Sequence, residues 1–85
     1  MTKLEMKLIE LGYKQDRFQS NHYIKWDKNI YCSIDVRLDL KRKKIVLYEL
    51  EVTSGIKTDT HLEIINNMFA IMSEDSKKLN EIEEE

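Results

Sequence analysis

The apolar positions of the chain follow two rhythms, one of three to four residues at both ends and one of two residues between them. In "LEMKLIEL", Leu4, Leu8 and Leu11 share a helical face with Ile9 beside them, and Gly12 follows where a left-handed residue closes a helix. The spacing predicts a first helix over about 2–11. "NHYIKWD" then alternates, with Ile24 and Trp26 on one side and Tyr23 and Lys25 on the other. Asp27-Lys28-Asn29 reads as a turn. In "IYCSIDVRLDL", Cys32, Ile34, Val36, Leu38 and Leu40 face one way, and Tyr31, Ser33, Asp35, Arg37 and Asp39 the other. That is the pattern of an antiparallel strand with one face buried and one wet. "KRKK" is a turn, and "IVLYELEV" a third strand with Val46, Tyr48, Leu50 and Val52 inward.

The last element is a long helix. Thr60 and Glu63 have the S/T-x-x-E spacing of a capping box, and Asp59 adds negative charge where a helix start favours it. Leu62, Ile65, Phe69, Met72, Leu79 and Ile82 form its main stripe, with Ser76 in one slot, and Ile64, Met68 and Ile71 widen the face. The expected fold is α+β in the order α-β-β-β-α, a three-stranded antiparallel meander with two helices on one face. The expected core is Leu8, Leu11, Trp26, Ile34, Val36, Leu50, Ile65, Phe69 and Met72. Residues 1–80 form one domain on this reading, and 81–85 are an acidic tail. Helix two is broad enough to share its face with helix one or with a second copy, so a homodimer through helix two is an open alternative.

Composition narrows the function classes. A chain of 85 residues buries only about 60–65% of its unfolded surface, so the core is thin. No apolar run is long enough for a membrane span, and "MTKLEMKLIELG" lacks the core of a signal peptide. Cys32 is the only cysteine, which suits a buried residue in a reducing compartment and a cytoplasmic location. The net charge of −2 hides an asymmetry: residues 1–57 carry +4, and residues 58–85 carry −6. His22 and His61 have no metal-ligand spacing, and Gly12 and Gly55 stand alone, so there is no phosphate loop. No cofactor is expected.

The chemistry that remains lies in three places. Strand alternation puts Asp35, Glu49 and Glu51 on one sheet face. Pairing through "KRKK" sets Asp35 opposite Glu49 in one register; in the other it faces Glu51, with Arg37 opposite Glu49. Three carboxylates on neighbouring strands suit a hard divalent cation, which could activate water. The bland alternative is an exposed face on which Arg37 and Lys25 neutralise the acids. Lys41, Arg42, Lys43 and Lys44 make a basic hairpin tip, a candidate phosphate contact with Tyr23 or Tyr31 stacking on bases. The acidic groups Asp59, Glu63, Glu74, Asp75, Glu81, Glu83, Glu84 and Glu85 are a candidate surface for a protein partner.

Residues 30–57 resemble the restriction-endonuclease-like core: Asp35, Glu49 and the following "VTSG" match its acidic positions in order. That resemblance implies a metal-dependent nuclease. Glu51, however, stands where the family carries a lysine that stabilises developing negative charge. The element order is also that of double-stranded-RNA-binding domains, but Asp59, His61 and Glu63 occupy the place of their lysine cluster. In size, element order and acidity the chain is similar to small phage and prophage orphan proteins and to compact anti-CRISPR proteins. Those resemblances imply a non-catalytic protein that occupies a partner, such as a host defence nuclease. That is the reading the sequence favours, with nucleic-acid binding second and a degenerate nuclease third.

Overall fold

Thr2 starts the first helix. In the computed structural model, which describes residues 1–53 and 59–82, its hydroxyl accepts the Glu5 N–H at 3.1 Å, and Glu5 Oε1 accepts the Thr2 N–H at 3.0 Å. This reciprocal cap satisfies two donors that a helix start otherwise leaves open. Helix α1 runs Lys3–Glu10. Gly12 follows at φ 100°, the left-handed conformation expected of it.

Four strands follow: β1 (Lys14–Gln15), β2 (His22–Trp26), β3 (Cys32–Asp39) and β4 (Lys44–Val52). They pair antiparallel in chain order, β1-β2-β3-β4, so the predicted three-stranded meander has a fourth, two-residue strand at its edge. Two residues are too few for alternation to show. Helix α2 runs Asp59–Asn80. It already contains Thr60, so Thr60 is not its cap, contrary to the capping-box reading. The predicted Ser-Gly turn and Lys57 fall outside the described residues. Both helices contribute to one core: Leu4 and Leu8 from α1, Tyr23, Ile34 and Val36 from the sheet, and Met68 and Leu79 from α2.

Three details of that core depart from the expected one. Strand β2 turns its other side inward. Tyr23 is fully buried and donates its hydroxyl to Glu5 Oε2 at 2.9 Å, whereas Trp26 is 50% exposed on the opposite face. Lys25 shares the inner face with Tyr23 because its ammonium finds Asp75 of α2 at 2.6 Å. Strand β4 contains a bulge. Arg37 pairs with Leu47 but Leu38 with Ile45, so Val46 is the extra residue. Ile45 therefore packs against the core, and Val46 is exposed, as is Val52 at the strand end. Helix α2 is rotated relative to its main stripe. Met68, Asp75 and Leu79 face inward, and Phe69 and Leu62 each leave over half their surface exposed. The Asp75 contact fixes that rotation.

Tyr13 completes the buried ionic group. Its hydroxyl donates to Asp75 Oδ2 at 2.9 Å, and the Lys25 ammonium lies 4.7 Å from the centre of its ring. Burial first, and then the neighbouring Tyr48 and Asp75, push the Tyr13 phenol far above its ordinary value. Tyr48 closes the layer by donating to the Met72 carbonyl at 2.7 Å.

Candidate binding site on the open sheet face and the β4 edge

The face of the sheet away from the helices is built from three rows of opposed residues. His22, Arg37 and Leu47 make the first, Ile24, Asp35 and Glu49 the second, and Trp26, Ser33 and Glu51 the third. The hairpin thus adopts the register that sets Asp35 opposite Glu49. One ligand oxygen from each of Asp35, Glu49 and Glu51 lies within 4.8 Å of the others. The face is less wet than alternation suggests at its centre: Asp35 is only 4% exposed, because β3 is flanked on both sides. The Ser33 hydroxyl donates to Asp35 Oδ1 at 3.2 Å.

No cationic side chain pairs directly with this cluster among the described residues, which corrects the bland alternative on both counts. Lys25 is on the other face with Asp75. Arg37 donates to Gln19 Oε1 at 2.7 Å instead of to Glu49 or Glu51. The consequence shows in Glu51. A hydrogen bond shared with Asp35, and then the like charge of that neighbour, raise its carboxyl above the ordinary range, with His22 and Arg37 pulling weakly the other way.

His22, which the sequence reads as an ordinary surface histidine without a ligand spacing, is not on the surface. It is buried on the same face, opposite Arg37. Its Nδ1 lies 3.1 Å from Asp16 Oδ2, and Asp16 N–H donates to the His22 carbonyl at 2.8 Å. Asp16 is held in turn by the Phe18 N–H, and that hydrogen bond first of all lowers its carboxyl below the ordinary value. Nε2 is buried and has no partner. Nothing in the six-residue spacing of Asp16 and His22 distinguishes them from ordinary loop residues.

Beside the cluster runs an edge. Strand β4 pairs only with β3, so its nine residues present an open ladder among the described residues. Because Asp75 reaches toward β2, the flank of α2 bearing Phe69, Ser73 and Ser76 faces the β4 side. Between that flank and Tyr48 lies a groove of about 400 Å³, lined also by Met72 and Lys77.

The other expected contacts are rearranged. Asp59, Glu63, Glu74 and Glu81 are exposed on or just after α2, and Glu74 pairs with Lys77 at 3.4 Å. Asp75 is removed from that surface by burial, and Glu83, Glu84 and Glu85 fall outside the described residues. At the basic tip, Asp39 accepts the N–H groups of Lys41 and Arg42, and its carboxylate lies 3.7 Å from the Arg42 guanidinium. Lys43 takes φ 55° to complete the turn, and Lys44 pairs with Asp39 across the strands. The two tyrosines expected to stack on bases are engaged elsewhere: Tyr23 is buried, and Tyr31 packs edge-on against His61 with ring centres 4.3 Å apart. No helix is long and apolar enough to cross a membrane among the described residues. Comparison with protein-family models, curated proteins and solved structures finds no match to this chain.

Proposed function

We propose that the protein is a non-catalytic binding module that takes an extended segment of a protein partner as an added strand on β4. The observation that carries this reading is the open β4 ladder backed by the groove under α2. Strand addition draws affinity from main-chain hydrogen bonds and specificity from pockets for alternate side chains. Here Tyr48, Phe69 and Met72 supply an apolar pocket for one inward side chain of the added strand. Exposed Val46 and Val52 extend the same edge. A second copy is the poorer occupant. Antiparallel pairing of Tyr48 with Leu50 would set Glu49 directly opposite its own copy, and like charges directly opposite are destabilising.

The test places a photo-crosslinking amino acid at Val46 or Val52, with Met6 on α1 as the control, in cells that express the protein. Adducts with one protein from the two β4 positions and none from Met6 support the reading. Ser73→Trp, which fills the groove from an exposed helix position, should abolish them while circular dichroism stays unchanged. Equal adducts from Met6, survival of the adducts in Ser73→Trp, adducts with nucleic acid, or no adduct would each overturn it.

A further inference from the structure

We propose that the cleft between the β2–β3 turn and α2 binds a small apolar carboxylate, of the class of a short fatty acid. The cleft holds about 320 Å³, within the range of small-molecule pockets. It lies on the other flank of α2 from the groove beside Tyr48 and shares no lining residue with it. Trp26, Ile64, Met68 and Ile71 wall it. Trp26 is half-exposed and Ile71 is exposed, so a ligand there covers apolar surface that the fold leaves in water.

The rim decides the chemistry of the ligand's head. Lys28, Asn29 and Asn67 line the cleft and are exposed, and none of their side chains has a hydrogen bond or ion pair among the described residues. The other two charged groups of the lining are spent. Lys25 gives its ammonium to Asp75 at 2.6 Å. Asp27 turns its carboxylate into the backbone: Oδ1 accepts the N–H groups of Tyr31 and Cys32, and Oδ2 that of Asn29. The unspent groups are therefore the Lys28 ammonium and two side-chain amides, all able to donate. An apolar body with a carboxylate head answers both the walls and the rim, because hydrogen bonds to an ionised acceptor are the stronger ones. A cation meets Lys28 as a like charge. The rim is also fixed before any ligand arrives. Ile30 takes φ 61°, costly for a β-branched residue, and its N–H still reaches the Asp27 carbonyl at 3.0 Å. Lys28 and Asn29 thus stand on a braced turn, which limits the ordering that binding would cost.

The experiment titrates the isotope-labelled full chain with octanoate and, separately, with octanol, and follows backbone, indole and side-chain amide signals by NMR. Saturable shifts at Trp26, Asn29 and Asn67 are expected, with half-saturation by octanoate at about 1 mM. Octanol should bind about threefold more weakly, and Lys28→Gln should remove that difference. Asn67→Trp fills the cleft from an exposed helix position and should abolish the shifts, whereas Ser73→Trp, on the other flank, should bind as the parent does. The spectrum of each variant reports whether it folds; should Asn67→Trp not fold, the Lys28→Gln comparison decides. No saturable shift, shifts centred on Tyr48 and Phe69, octanol binding as tightly as octanoate, or binding kept in a folded Asn67→Trp each overturns the proposal. Any of these results leaves the crosslinking test of strand addition unaffected.

Discussion

Lys25 and Asp35 sit on adjacent strands and opposite faces of the sheet, and only one of them has an ionic partner. On the helix side, Lys25 has Asp75 against its ammonium and the Tyr13 ring beside it. On the open side, Asp35 has two further carboxylates and, among the described residues, no ion pair. The helix-side group is self-contained, and its charges serve the fold. The open-face group keeps its like charges together, and the Glu51 carboxyl is raised for it. Burial alone therefore does not show whether a charge serves the fold; its partners do.

The contrast breaks most readily at Asp75. Asp75→Ala leaves a buried ammonium and a buried phenol without their acceptor and should cost about 3–5 kcal/mol in urea unfolding. Replacing Lys25 with Met and Asp75 with Leu together should recover most of that loss. If Asp75→Ala unfolds like the parent, the helix-side group is not structural. The two aromatics of β2 sharpen the comparison. Trp26→Ala, on the open face and half-exposed, should cost about 1–2 kcal/mol, well below the value for a fully buried large side chain. Tyr23→Phe, on the core face, removes only the hydroxyl's bond to Glu5 and should cost about 1 kcal/mol. A Trp26→Ala loss of core magnitude would reverse the face assignment of the strand.

The smallest effect has the opposite sign. Glu51→Gln should stabilise the protein at neutral pH by about 0.2–1 kcal/mol by removing one of three clustered like charges. Because the folded Glu51 binds its proton more tightly than the unfolded one, its contribution is fully present below the ordinary carboxylate value. It is lost as pH rises through the raised folded value. Melting temperature followed against pH should show this slope in the parent and lose it in Glu51→Gln. An unchanged slope would place the perturbed carboxyl elsewhere.

Much of this arrangement was legible in the chain, in proportion to how local its causes are. Helix α1, the Asp27 turn, strand β3 and the basic hairpin follow from periodicity and turn chemistry among near neighbours. Asp27 accepts the N–H groups of Asn29, Tyr31 and Cys32, as a turn-forming aspartate should. The carboxylate cluster was legible too, because alternation and one short hairpin suffice to bring Asp35, Glu49 and Glu51 together. Strand β2 was not. Each of its faces carries an aromatic, and the deciding contact for Lys25 lies 50 residues away at Asp75. The same distant contact rotates α2 and leaves Phe69 outside the core. The single-residue bulge at Val46 leaves no mark in composition, yet it inverts the inward and outward positions before it.

That bulge bears on how the hairpin can change over generations. A strand counts its residues in twos, and Val46 resets the count between the turn and the carboxylates. Lys44 and Asp39 thereby remain paired at the tip while Glu49 stays opposite Asp35. Deleting Val46 would close the bulge and leave both pairings as rungs of one regular ladder, whereas losing a residue of β3 between Asp35 and Asp39 would put the turn and the acidic row out of phase. A single-residue deletion should therefore be tolerated at Val46, whereas within β3 one deletion should need a second that restores the phase.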